Sequence, residues 1–258
     1  MTSSSTRILQ FAAPLAVGVL GLVVWQLLVG VVGVSAYLLP APAEIAGEWV
    51  DNVGPIAEGA WITGSNAVIG LLAGTVSGVF LAAIASRLRV ADAMLAPVVA
   101  GLAVVPIVAL APVLNSMFGA DSEVGRQIIA AIASFVPIFL NTLRGLRQTT
   151  PLQRDMMRAY AASDTQVFRI LTLPTAAPFL LTGIRLASSL AVISALVAEY
   201  FGGPRGGLGS FISTSAATSA YARAWAYVGA AILLGLGLYV LTALLERLIT
   251  TRLTPSTT

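Results

Sequence analysis

Residues 63–86 read TGSNAVIGLLAGTVSGVFLAAIAS, a run without a single charged side chain. A bilayer core of roughly 30 Å asks for about 20 mainly apolar residues in one helix, and this stretch supplies them. Within it Gly70, Gly74 and Gly78, followed by Ala82 and Ser86, recur at every fourth position and so share one helix face. Small residues in that pattern let two helix backbones approach closely in lipid, where packing replaces the hydrophobic drive. Packing inside a bundle and a direct place in a transport pathway are both compatible with the stripe.

Working outward, comparable apolar stretches cover 9–34, 93–118, 127–146, 176–200 and 224–250. The first is longer than the roughly 7–15 residues of a signal-peptide core, which predicts a retained anchor despite the small residues Val34, Ser35 and Ala36. The chain is therefore expected to be an all-α membrane protein with about six transmembrane helices, forming a single domain over 1–258. Composition agrees: 57% of the 258 residues are hydrophobic and only 10% are charged, against about 25% charged in soluble domains. Mean hydropathy is +0.91. Pro97, Pro106 and Pro112 interrupt the third stretch; a kink that packs and a break that lines a cavity both satisfy the carbonyls they free.

The absences exclude chemistry. Without Cys there are no disulfides or thiolate sites, and without His there is no Ser-His hydrolysis or zinc-protease motif. All 14 basic residues are Arg, so a P-loop lysine is missing and ATP hydrolysis by that route is excluded. No catalytic residue, metal site or cofactor is expected on this chain. The arginines form no stripe interleaved with aromatics, which argues against nucleic acid.

Arginine placement sets orientation. With the N-terminus inside, the inner segments hold Arg7, Arg87, Arg89, Arg144, Arg147, Arg154, Arg158, Arg169, Arg247 and Arg252. The outer ones hold Arg126, Arg205 and Arg223, and the first outer loop carries Glu44, Glu48, Asp51 and Glu58 with no Arg. This bias predicts that both termini are cytoplasmic.

Residues 150–174, TPLQRDMMRAYAASDTQVFRILTLP, are the polar exception. Thr150 with Gln153 and Ser163 with Gln166 form two capping boxes, and Pro151 suits a first helical position. The pattern predicts two short helices with a turn near 161–163, the second stopped by Pro174. Leu152, Met156 and Tyr160 share one face of the first helix, Arg154 and Arg158 another. Val167, Ile170 and Leu171 are expected to rest on the membrane domain. The arginines fit an amphipathic hairpin on anionic lipid, and the faces fit equally a docking element for a soluble partner.

This segment resembles the cytoplasmic motif of permease subunits of binding-protein-dependent ATP-binding-cassette importers: Glu-Ala-Ala, three residues, Gly, then about a dozen residues to Leu-Pro. Asp155, Met156 and Met157 stand in place of Glu-Ala-Ala, and Ala161 in place of Gly, where a left-handed residue is less comfortable. Ala162, Ser163, Leu173 and Pro174 match. LLPAPAEI (38–45), PIVALAPVLNSMFG (106–119), SFVPIFLNTLRGLR (134–147) and AEYFGGPRGGLG (198–209) resemble the subfamily importing nitrate, sulfonates, taurine, related organic anions or vitamin precursors. The resemblance implies a type I importer permease fold in a bacterial inner membrane. It also implies two cytoplasmic ATP-binding-cassette subunits holding ATP and Mg, a second permease subunit making a homo- or heterodimer, and a periplasmic or lipid-anchored substrate-binding protein. Asp155, Arg158, Ala161, Ala162, Ser163, Phe168, Leu173 and Pro174 would couple to the ATPase.

Two ionisable groups stand out within the spans. Glu199 lies near the outer end of the fifth and Arg185 near its inner end; intramembrane charges are functional candidates by default. A structural reading has Glu199 hold the following loop and Arg185 snorkel to the inner surface. Asn115, Ser116, Ser188 and Ser189 join them as candidates for a polar substrate path. The competing function, an ion-coupled secondary transporter or channel subunit, needs a proton or ion relay; an intramembrane enzyme needs a nucleophile–base pair or metal cluster.

Overall fold

The computed structural model describes residues 4–35, 37, 39–119, 122–202 and 206–253, with side chains among them from 12 to 251. Ala36, Leu38, Gly203, Pro204 and Arg205, and the side chains of Arg7 and Arg252, lie outside the described residues. Among the described residues the regular structure is helical: α1 (Ser4–Val32), α2 (Pro42–Asp51), α3 (Val53–Arg87), α4 (Arg89–Val104), α5 (Ile107–Phe118), α6 (Val124–Leu146), α7 (Pro151–Ala159), α8 (Asp164–Gln166), α9 (Leu173–Tyr200), α10 (Leu208–Ala217) and α11 (Tyr221–Leu253). A π-helical run, Val167–Thr172, joins α8 to α9.

The helices long and apolar enough to span a membrane are α1, α3, α6, the α8–α9 column and α11. The third stretch is different from one straight span. It breaks into α4 and α5, bent by 96°. Pro106 removes a backbone donor and pushes Val105 out of the helical region, to φ −62°, ψ 124°. Pro97 and Pro112 stay inside their helices. The halves then pack separately, Val99 of α4 near Ala82, Ala85, Phe135 and Phe139, and Ala111 of α5 near Ile129 and Ala198.

The centre is α3 against α6 against α9. Small residues set the separation. A Cβ on Gly74 would stand 2.7 Å from the Ala131 carbonyl and 2.7 Å from Ser134 Cβ; one on Gly78 would stand 3.0 Å from Ile138 Cγ2. Gly70 meets Ala130 in the same way. Gly70, Gly74, Gly78 and Ala82 are buried and Ser86 half-buried. On an adjoining face of α6, a Cβ on Gly145 would lie 2.8 Å from Phe179 Cβ and one on Gly183 of α9 3.2 Å from the Pro137 carbonyl. Ala67, Leu71, Ala130, Ile138, Ala187, Ala191, Val192 and Ala195 fill the core between them. In lipid such close approach supplies van der Waals contact and little else is available to hold apolar helices together.

The first expected outer loop is mostly helix. Residues 42–51 form α2, and α3 begins at Val53, ten residues before the apolar run. Arg223 Nε meets Glu48 Oε2 at 2.8 Å and fastens α11 to α2. α1 lies against α2, where Gln26 accepts the Ala43 amide at 3.1 Å, and Trp25 meets Trp225 of α11 edge-on at 5.7 Å. Apart from Trp25, Gln26 and Val29, its side chains described from 12 to 32 are exposed.

Candidate functional site

The 150–174 segment is a hairpin at the end of the bundle where α3 and α6 terminate. Thr150 Oγ1 accepts the Gln153 amide at 3.3 Å and Gln153 Oε1 accepts the Thr150 amide at 2.9 Å. Ser163 and Gln166 repeat this reciprocal pairing at 3.4 and 2.8 Å. Each cap is worth on the order of 1 kcal/mol. Between them α7 ends in a Schellman turn: Ala162 N–H donates to Met157 O at 3.0 Å and Ala161 N–H to Arg158 O at 2.8 Å. Ala161 takes φ 55°, the left-handed conformation that suits glycine.

Asp155 and Arg158 pair at 3.2 Å on the exposed surface of α7. Leu152, Met156 and Tyr160 are also exposed, Tyr160 at 80%. Phe168 turns toward the bundle, where Arg87 stacks over its ring at 5.4 Å.

Beyond Ser163 the structure departs from the expected second short helix. Asp164 to Tyr200 run as one continuous column. Pro174 does not stop it; with Leu173 it opens α9. A proline in a helix lacks a donor and crowds the carbonyl four residues back. The π run just before it widens the ladder, with Leu173 N–H bonding Phe168 O five residues back. The wider turn also shifts the side-chain phase. Ile170 is 64% exposed rather than resting on the bundle, while Thr172 is buried and Val167 and Leu171 are half-buried.

At the opposite end the structure gathers a polar cluster. Glu199, fully within the bundle, accepts from Thr63 Oγ1 at 2.7 Å and from the Gly209 amide at 3.0 Å. Thr63 Oγ1 accepts the Leu208 amide at 2.9 Å. Arg126 Nη1 stands 2.8 Å from Glu123 Oε2 and 3.7 Å from Glu199 Oε1. Asn66 Nδ2 donates to Glu123 at 2.6 Å, and Gln127 donates to Asn66 at 3.1 Å. Four helices, α3, α6, α9 and α10, thus meet on one ionic group. Gly209 permits it, because a side chain there would collide with the Leu196 carbonyl and Glu199.

Arg126, expected in an outer segment, is instead a buried residue in the first turn of α6. A signal for Asn66 is present in the sequence, since it continues the Gly70–Gly74–Gly78 face one step back.

Arg185 has a carboxylate partner in a neighbouring helix. Its Nε meets Glu246 Oε2 of α11 at 3.0 Å, and Thr182 donates to Glu246 Oε1 at 2.6 Å. Glu246 is therefore a carboxylate within a span that sequence reasoning missed. Ser188 donates to the Arg185 carbonyl at 2.7 Å and meets Thr242 Oγ1 at 3.1 Å. Ser189 is half-buried beside it. Asn115 is buried and donates to the Gly202 carbonyl, while Ser116 is exposed and bonds its own helix at Pro112 O, 2.9 Å. The candidate path residues thus divide: Arg185, Ser188 and Ser189 at one level of α9, Glu199 fourteen residues along it at about 21 Å, and Asn115 on α5.

Residues 74–254 match the family described as "Binding-protein-dependent transport system inner membrane component". The chain is 32% identical over 230 residues to the riboflavin transport system permease protein RibX of Chloroflexus aurantiacus, covering 88% of this chain and 85% of that protein. It is 30% identical over 195 residues to the formylaminopyrimidine transport permease protein ThiX of Halalkalibacterium halodurans, covering 74% and 75%. With the putative aliphatic sulfonates transport permease protein SsuC of Bacillus subtilis it shares 29% identity over 185 residues, covering 71% and 67%. With its multi-pass helices and this match, the chain belongs to the binding-protein-dependent inner membrane components, the permease subunits of ATP-binding-cassette importers, and is a transport protein rather than an enzyme.

Proposed function

We propose that the whole chain, 1–258, acts as one permease domain that pairs with a copy of itself or a homologue to enclose a pathway. An outer binding protein delivers the solute: a small organic anion, a sulfonate- or nitrate-like ion, or a vitamin or pyrimidine precursor of the kind the relatives' names state. Two cytoplasmic ATP-binding-cassette subunits, carrying ATP and Mg, dock on the 150–174 hairpin, and both termini of the chain are cytoplasmic.

The observation that supports docking is the apolar row Leu152, Met156 and Tyr160. It is exposed on α7, whose hairpin continues without a break into the α8–α9 column. The docked ATPase must bind the two transport states unequally, or ATP would shift nothing.

Because the chain has no native Cys, single cysteines test orientation without background. Glu44→Cys should label from outside and Arg158→Cys only from inside; the reverse pattern overturns the topology. Asp155→Arg and Ala161→Pro test docking. Both should insert and assemble with a second permease normally, yet lose ATPase co-purification and transport. Parental transport in both variants would leave the hairpin as a lipid-surface element.

A further inference from the structure

A cavity of about 510 Å³ lies between the end of α3, the end of α6 and the start of the α8–α9 column, with Arg87, Arg154 and Asp164 in its lining. A second chamber of about 310 Å³ adjoins it, sharing Arg87 and Phe168 and completed by Ala83, Ile84 and Leu88. One chamber is polar and cationic, the other largely apolar, and the Arg87–Phe168 stack stands between them.

Neither arginine is paired with a carboxylate among the described residues. Arg87 has the Phe168 ring, and Arg154 donates from Nε and Nη2 to Thr149 Oγ1 at 3.0 and 2.8 Å. The chamber therefore carries two guanidinium groups against the single carboxylate of Asp164. It sits where α3 ends at Arg87 and beside the start of the α8–α9 column, and basic side chains at the end of an apolar span suit anionic headgroups.

We propose that the paired chambers bind one anionic phospholipid. Its phosphodiester lies between Arg87 and Arg154, whose planar forks suit phosphate oxygens. The glycerol and first acyl carbons lie over Ala83, Ile84 and Leu88. Asp164 disfavours a doubly charged phosphomonoester and so favours the single charge of a diester. The bound lipid bridges α3, α7 and the π run, which few protein contacts otherwise join, and the site functions whether or not an ATPase docks on the hairpin.

The test uses the full chain with its co-purifying subunits in nanodiscs of phosphatidylcholine containing phosphatidylglycerol. Lipid retained after detergent extraction is counted by native mass spectrometry. The parent should retain phosphatidylglycerol in preference to phosphatidylcholine. Arg87→Gln and Arg154→Gln should each weaken that retention about tenfold, the loss expected for one charge-assisted hydrogen-bond partner. Arg89→Gln, outside both linings, should retain it as the parent does. If a Gln variant does not purify, Arg87→Lys, which keeps charge but not the fork, should retain the lipid less well than the parent. Monodisperse variants at Arg87 and Arg154 that hold phosphatidylglycerol at the parental level would overturn the proposal. So would inorganic phosphate that displaces the lipid at comparable affinity, since the occupant would then be the free anion.

Discussion

At the α10 end Arg126, with no exposed side-chain surface, stands 2.8 Å from Glu123 and 3.7 Å from Glu199. At the α7 end Arg158 and Asp155 meet at 3.2 Å with side chains 77% and 66% exposed. The same two chemistries serve opposite purposes. A buried pair must be satisfied on every side, because a charge left alone in a low-dielectric interior is costly. The Glu199 cluster answers much of that demand through Thr63 of α3, Arg126 of α6 and the Gly209 amide of α10, and so ties those three helices to the end of α9. An exposed pair is screened and contributes little to stability, which leaves its charges and the neighbouring Leu152–Met156–Tyr160 row available to another surface.

The sharpest way to break this contrast is Glu199→Ala. It removes the buried carboxylate beside Arg126 and releases the Gly209 amide and Thr63 hydroxyl. Breaking a buried pair from one side costs about 3–5 kcal/mol. A collapse of monodisperse yield, read by thermal challenge and size-exclusion in detergent, is expected. An unchanged melting profile would mean the cluster does not hold the four helices together.

Gly74→Leu comes next. It places a side chain where the Ala131 carbonyl and Ser134 Cβ stand at 2.7 Å from a bare Cβ. Overpacking of this kind costs about 1–3 kcal/mol. The same thermal challenge should show an intermediate loss, and parental stability would place that face away from α6.

The smallest expected effect is at the hairpin. Ala161→Gly relieves a left-handed residue at φ 55°. The gain is about 1 kcal/mol or less, because glycine also adds freedom to the unfolded chain. Global stability should stay unchanged while amide exchange slows locally around 158–163. Faster exchange there would show that Ala161 carries no strain.

The parts of this architecture that rest on local patterns are legible in the amino-acid sequence. Charge-free length locates the spans, and the spacing of Thr150 to Gln153 and of Ser163 to Gln166 locates both capped helix starts. The positive-φ demand at Ala161 is also visible, as a missing glycine. What escapes is long-range. Nothing local to Arg126 says that Glu199, seventy-three residues later, will lie beside it, so a residue at the head of an apolar run reads as an outer charge. Glu246 next to Arg247 reads as ordinary end-of-span polarity until α11 lies against α9 and gives it Arg185. The prolines announce trouble in 93–118 but not which one will win. The 96° bend falls at Pro106, where Val105 leaves the helical region, whereas the helices continue through Pro97 and Pro112.

The column from Asp164 to Tyr200 is 37 residues long, about 55 Å of continuous helix. A helix resists shortening, since compression would break its ladder of hydrogen bonds, and it yields where the ladder changes register. That compliance is concentrated in the first two-fifths of the column: the π run Val167–Thr172, then Pro174 and Pro178. From Phe179 onward the rungs are regular up to Glu199. A thrust applied at the foot is therefore either absorbed as twist in those early turns or delivered nearly undiminished to the knot of Arg126 and Thr63. The molecule has a soft ankle and a stiff shin.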